Sequence, residues 1–273
     1  MKVSMYALHA RRIYDWPDPV AAIKHYHDMG IVEADGLESE LAALPLPEYK
    51  KYINDAGMEM GALVGLSDFI TAEGKVLEEN TARIKGLIDE LSHLGVPKIM
   101  LAPMVTTAFD DESFYAMREK MVEGFGSMVE YAKGSGVTVM IENQSVPQRA
   151  DSYIKDCRYI LDQVPGLGFV LDAGNFFCVG DDVLEAYEVM KDRIIHCHVK
   201  DWEYHPYGGI VRSNMPAMRS ALVMGEGLLP LDTLLKRMKS DGYEGSLVLE
   251  INGIRHETKR IIDDAARFLL AHA

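Results

Sequence analysis

Short apolar runs alternate with longer stretches of helical periodicity along the whole 273-residue chain, and no Pro/Gly/Ser-rich linker or low-complexity tract divides them. Such alternation calls for a parallel sheet, because parallel neighbours need crossover connections and helices supply them. Eight runs read as strands: 3–8 (VSMYAL), 31–35 (IVEAD), 58–65 (MEMGALVG), 98–102 (KIMLA), 137–142 (VTVMIE), 168–172 (GFVLD), 194–199 (IIHCHV) and 246–251 (SLVLEI). Between them, 77–94 carries Leu77, Ile84, Leu87, Ile88, Leu91 and Leu94 at helical spacing. The segment 112–133 repeats the pattern with Phe114, Met117, Met121, Phe125, Met128 and Val129, and 255–271 with Ile261, Ile262, Ala265, Phe268 and Leu269. Met and aromatic residues at that spacing form core stripes. Gly30, Gly57, Gly95, Gly136 and Gly242 fall where helices should stop before strands. Eight strand–helix units in a chain near the ~250 residues typical of the architecture predict one α/β domain over 1–273, a single (β/α)8 TIM barrel. An open doubly wound sheet is the weaker reading, and neither G-x-G-x-x-G after a strand nor a P-loop occurs.

Composition narrows the partners. A 48% hydrophobic and 26% charged chain can build an ordinary core, so disorder is not expected. The net charge of −14 opposes approach to a polyanion, and the basic clusters Arg11-Arg12 and Lys50-Lys51 are only pairs, so no nucleic-acid partner is expected. The opening MKVSMYALHARR has no apolar h-region behind it, and no segment approaches ~18 uninterrupted apolar residues. No membrane association and a cytoplasmic location are therefore expected. Cys157, Cys178 and Cys197 show no CxxC or zinc-finger spacing and read as reduced core thiols.

The chemistry concentrates at four successive strand ends: Glu142 in VMIEN, Asp172 in FVLDAGN, His198 in HCHVKD and Glu250 in LVLEIN. In a barrel all four lie at the C-terminal mouth. A charged group closing an apolar strand is costly unless it is solvated, paired or bound to a cation. Singly, each could cap the next helix or pair with a basic neighbour. Together, around half a barrel, they point to one divalent ion. Three carboxylates and one imidazole favour Mn²⁺ or Mg²⁺, with Co²⁺ or Zn²⁺ as alternatives.

The segments IEN, LDAGN, HxHVKD and GEGxxPLD, followed by LVLEI, resemble the sugar phosphate isomerase/epimerase superfamily of xylose-isomerase-like barrels. The resemblance implies metal ligation by Glu142, Asp172, His198 and Glu250. From its ketose 3-epimerase members it also implies proton exchange with substrate by Glu142 and Glu250. Chemistry agrees: a proton alpha to a carbonyl becomes labile when a cation polarises the oxygen, and a nearby carboxylate can remove it. The chain departs from the epimerase pattern at Asn175, where many members have His, and at Tyr204, where a substrate-binding Arg is usual. The expected activity is metal-dependent isomerisation or epimerisation of a ketose, aldose or related polyol through an enediolate. A lyase or dehydratase acting on inosose-like or 3-keto-glycoside substrates shares the first step, and a non-catalytic binding barrel is a third class. The DNA-repair branch of the same barrel does not fit, since the third and fourth strands end in GLSD and LAPM.

Further candidates surround this set. His9, Asn175, Lys200, Trp202 and His205 are read as substrate contacts. Their bland alternatives are interior hydrogen bonding, rim ion pairs and loop anchoring. Asp35 is a pocket or capping group. His196 shares the strand face of His198, and Asp201 supports a neighbour. Asn143 and Gln144 either recognise hydroxyls or satisfy loop backbone. Residues 202–229 form a long connection without strong periodicity, a candidate lid or specificity loop. Gly208-Gly209 and Gly225-Glu226-Gly227 could present backbone N–H groups to a phosphate, but Glu226 opposes an anion, so an unphosphorylated sugar is preferred. The apolar residues of 215–224 suit a lid or the interface of a homo-oligomer.

Overall fold

The computed structural model describes residues 1–11, 18–103, 107–108, 110–204, 218–221, 223–251 and 258–273. The strands are β1 (Lys2–Tyr6), β2 (Glu33–Leu37), β3 (Glu59–Ser67), β4 (Lys98–Pro103), β5 (Thr138–Glu142), β6 (Gly168–Asp172), β7 (Ile194–Val199), β8 (Trp202–Tyr204), β9 (Met218–Ser220) and β10 (Ser246–Leu249). The helices are α1 (Ala7–Arg11), α2 (Pro19–Met29), α3 (Leu46–Asp55), α4 (Gly74–Leu94), α5 (Asp111–Ala132), α6 (Ile154–Gln163), α7 (Ala173–Val179), α8 (Val183–Met190), α9 (Leu231–Ser240) and α10 (Thr258–His272). All strands but β8 and β9 close into one parallel barrel, in the order β1-β10-β7-β6-β5-β4-β3-β2. This is the expected single TIM barrel. No helix among the described residues is long and apolar enough to cross a membrane.

Each strand turns alternate residues outward and inward. Val3 and Met5, Ile99 and Leu101, Val139 and Ile141, and Leu247 and Leu249 face the helices in the main core. Inside the barrel, one side is apolar, with Ala62, Met100, Met140 and Val170 packed together. The other side is polar. Lys98 on β4 donates to Ser246 on β10 (2.9 Å), and Ser246 donates to Glu33 on β2 (2.6 Å). None of these strands is adjacent to another, so the bonds cross the lumen. Gly61 is bare because a Cβ there would lie 2.9 Å from the carboxylates of both Asp35 and Glu33.

Three expectations shift. The first strand ends at Tyr6, where Ala7 opens α1, rather than running to Leu8. The second strand begins at Glu33, not at Ile31, because the Ile31 N–H donates to Tyr26 O (3.0 Å) and closes α2 over the left-handed Gly30 (φ 115°). The long connection is not wholly irregular either. Its ends form an antiparallel ribbon, Trp202 opposite Ser220 and Tyr204 opposite Met218. Residues 205–217, with His205 and Gly208-Gly209, lie outside the described residues. Ala221 and Met224, read as lid or interface, are buried in the chain itself. All three cysteines are free and buried, as expected.

Candidate metal centre

Barrel register brings the four strand-end groups together. Asp172 on β6 sits beside His198 on β7, and His198 beside Val248 on β10. Glu250, one residue past β10, continues the ladder through its N–H to Val199 O (3.1 Å). One ligand atom from each of Glu142, Asp172, His198 and Glu250 lies within 4.8 Å of the others. Donor atoms gathered this closely could hold one divalent cation with bonds of about 2.1 Å. The His198 Nδ1 atom is 2.5 Å from Glu142 Oε1 and 3.3 Å from Glu250 Oε2. Lys200 Nζ lies 2.6 Å from Asp172 Oδ2 and 2.8 Å from Glu250 Oε1.

The donor set fits a divalent ion by charge. Three carboxylates less the Lys200 ammonium leave two negative charges, which a divalent cation cancels while His198 stays neutral. Without it, protons fill the deficit. Burial pushes the Asp172 carboxyl up, to about 8, with Lys200 pulling it down and the Glu250 and Glu142 carboxylates adding to the rise. Burial opposes charge on His198, yet Glu142, Glu250 and Asp172 outweigh it and raise the imidazole to about 9. The same contest pushes Lys200 up, so its ammonium persists.

Neighbouring groups hold these side chains. Asp172 caps α7, its Oδ1 accepting the Asn175 N–H (3.0 Å), while Oδ2 stays turned to Lys200. Capping and site-building are thus shared between the two oxygens. The Asn143 amide donates to Asp172 O (2.9 Å) and accepts from Asp172 N (2.8 Å), extending the β5–β6 ladder by side chain. Asn175 donates to Asn143 O (2.9 Å) and stands 3.5 Å from Lys200. Gln144 donates to Glu142 Oε2 (3.4 Å).

Below these four groups, His196 Nδ1 lies 3.2 Å from Lys98 Nζ, a donor, so the imidazole proton sits on Nε2 and is donated to Asp35 Oδ2 (2.7 Å). Burial holds His196 below its usual pKa, in keeping with that neutral tautomer. Asp35, His196 and His198 also cluster within 4.8 Å. The Lys98 ammonium already supplies positive charge there, which disfavours a second cation.

His9 is buried and accepts the Ile251 N–H (3.2 Å). Trp202 is also buried, its indole N–H given to Gly174 O (3.1 Å). Asp201 carries more than the single support expected of it. Its carboxylate accepts the N–H groups of Trp202 (2.9 Å), Gly225 (2.9 Å), Gly227 (3.0 Å) and Leu229 (3.2 Å). The Gly225 and Gly227 donors read as phosphate binders are therefore spent on the chain's own anion. Sequence reasoning missed Tyr6, whose hydroxyl stands 3.2 Å from His198 Nε2. Burial pushes its phenol well above the usual range, so it keeps its proton. An aromatic residue ending a strand carries no sequence signal of that contact.

A family model described as Xylose isomerase-like TIM barrel matches residues 25–272. An inosose isomerase of Halalkalibacterium halodurans is 24% identical over 228 residues, spanning 83% of this chain and 78% of that protein. The crystal structure of the IOLI protein with a binding zinc atom aligns at a TM-score of 0.77 with 19% identity, covering 100% of this chain and 98% of that one. The probable 3-DHS dehydratase AsbF from Bacillus anthracis aligns at 0.76 with 16% identity, covering 99% of each. At such identities the structural alignments speak to fold, whereas the family match spans nearly the whole chain. The chain belongs to the xylose isomerase-like TIM barrel family.

Proposed function

We propose that this chain binds one divalent metal ion through Glu142, Asp172, His198 and Glu250 and isomerises or epimerises a small unphosphorylated carbohydrate, with Glu142 and Glu250 as its acid–base groups. The observation that carries the reading is the placement of two glutamates on either side of a single buried imidazole, on strands separated around the barrel wall. Mn²⁺ or Mg²⁺ suits this oxygen-rich set best, and the similarity to a zinc-binding neighbour keeps Zn²⁺ in play. When bound, the ion polarises a substrate carbonyl and stabilises the charge that develops as the adjacent proton leaves.

The protein groups do the rest. Glu142 and Glu250 approach the pocket from different strands, so one can remove a proton from one face of the reacting carbon while the other returns it to the opposite face. Lys200, 2.8 Å from Glu250, holds that carboxylate in place beside its own ammonium. Asn175, His9 and Trp202 are assigned to shaping the substrate pocket and its rim. The similarity to an inosose isomerase supports a cyclic or open-chain polyol ketone as substrate. A dehydratase is the second reading. It uses the same first step, and the Lys200 ammonium, 2.8 Å from Glu250 Oε1, would offer a hydrogen bond and positive charge to the departing hydroxyl.

The test is deuterium exchange in D₂O with Mn²⁺ and a panel of inososes, ketoses, aldoses and keto-glycosides, followed by NMR beside Glu142→Gln and Glu250→Gln. Metal-dependent exchange that drops at least ~100-fold in both variants is expected. Product structure then separates epimer or isomer from dehydrated ketone. Wild-type protein that binds no divalent ion, or exchange that survives both substitutions, would overturn the proposal.

A further inference from the structure

We propose that Gly174 is a positioning residue of this site: the side chain it lacks leaves the slot through which Lys200 reaches Asp172 and Glu250. The inference rests on the reading above, in which Lys200 holds Glu250 for proton transfer. Gly174 is the second residue of α7, and its φ lies outside the left-handed region that favours glycine. In helical backbone alanine is the better residue, so conformation gives no reason for a glycine here.

Space does give one. A Cβ on Gly174 would lie 2.3 Å from Lys200 Cγ, 2.7 Å from Lys200 Cδ and 2.6 Å from Trp202 Nε1. The Lys200 stem thus crosses the first turn of α7 on bare backbone. Its ammonium arrives 2.6 Å from Asp172 Oδ2, 2.8 Å from Glu250 Oε1 and 3.5 Å from Asn175 Oδ1.

The surroundings leave the stem little room to yield. Lys200 and Trp202 are 4% and 1% exposed, and the indole N–H is fastened to Gly174 O (3.1 Å). Because Cγ is the nearest atom, a methyl group on Gly174 must displace the lysine near its root rather than at its mobile end. The ammonium then leaves at least one of its two carboxylates, and Glu250 loses the partner that fixes it.

The test is Gly174→Ala beside Lys200→Met, Lys200→Ala and the two double variants. In nitrogen-15 NMR of the metal-free wild type, the Lys200 ammonium should give a signal protected from solvent exchange, identified by its loss in Lys200→Met and shifted or lost in Gly174→Ala. Mn²⁺-dependent deuterium exchange on the panel compound that turns over should fall about 10–100-fold in kcat with KM within about threefold, as a small misplacement of a reacting group produces. Added to Lys200→Met, Gly174→Ala should cost less than about threefold more, because both act through one ammonium. The melting temperature of Gly174→Ala should fall, and most of that fall should vanish in the Lys200→Ala background, which vacates the slot; this comparison holds even where the single variant folds poorly. An unchanged ammonium signal, additive losses of exchange, or a fall in melting temperature undiminished by Lys200→Ala overturns the assignment. Wild-type protein without metal-dependent exchange sinks the functional reading, and the ammonium signal and melting temperatures then judge Gly174 by themselves.

Discussion

Metal loading should expel protons, and the number follows from the pocket. In the metal-free site His198 is raised to about 9 and Asp172 to about 8. At pH 7 both groups are therefore mostly protonated, and both must deprotonate before Nδ1 and the Asp172 carboxylate can take a cation. Proton competition then weakens apparent affinity about 1000-fold at pH 7 relative to the high-pH limit, equivalent to about 4 kcal/mol. The sign is fixed: affinity rises with pH. It should climb by at least about tenfold between pH 7 and 8, continue to rise toward pH 9, then level off. Calorimetric titration with MnCl₂ at pH 7, in two buffers of different ionisation enthalpy, counts the released protons directly. Fewer than about one proton released, or an affinity that changes less than about tenfold between pH 7 and 8, refutes the charge assignment.

Lys200→Met should destabilise the metal-free protein by about 1–3 kcal/mol, because the partly buried Glu250 carboxylate loses its cation and Asp172 its hydrogen-bond partner; scanning calorimetry should register a fall of about 2–12 °C. Saturating Mn²⁺ should recover much of it, and an equal loss with and without metal would contradict the shared-charge picture. Asp201→Ala strands four backbone N–H groups and should cost at least about 3 kcal/mol. Limited proteolysis should then cut between residues 202 and 229 in the variant alone, and equal resistance would argue against Asp201 as the pin of that loop.

The legible part of the site was the clustering of Glu142, Asp172, His198 and Glu250, because each is a charged or polar residue closing an apolar strand, a local contrast that any reader of the chain can see. The eight strands were legible for a similar reason, since alternation survives without knowledge of partners. Tyr6 and Lys98 were not. A tyrosine after VSM and a lysine before IML look like ordinary strand edges, and their roles appear only when closure places β1 between β10 and β2 and turns β4 across the lumen from β10. The ribbon of β8 and β9 escaped because strands of three residues are too short for period-two patterning to register. His196 lies between these cases. Its position two residues before His198 fixed its face, while its tautomer depended on a lysine 98 positions away.

The lumenal chain from Glu33 through Ser246, Lys98 and His196 to Asp35 bears on how such a barrel can diverge. Each member supplies the next with its donor or acceptor, so replacing one strands another in a space that water cannot easily reach. Substitution one residue at a time must therefore cross poorly folding intermediates, whereas the loops above can vary freely. Lineages descending from this chain should exchange their substrates long before they exchange this floor. Where the floor does change, its members should be found changed together.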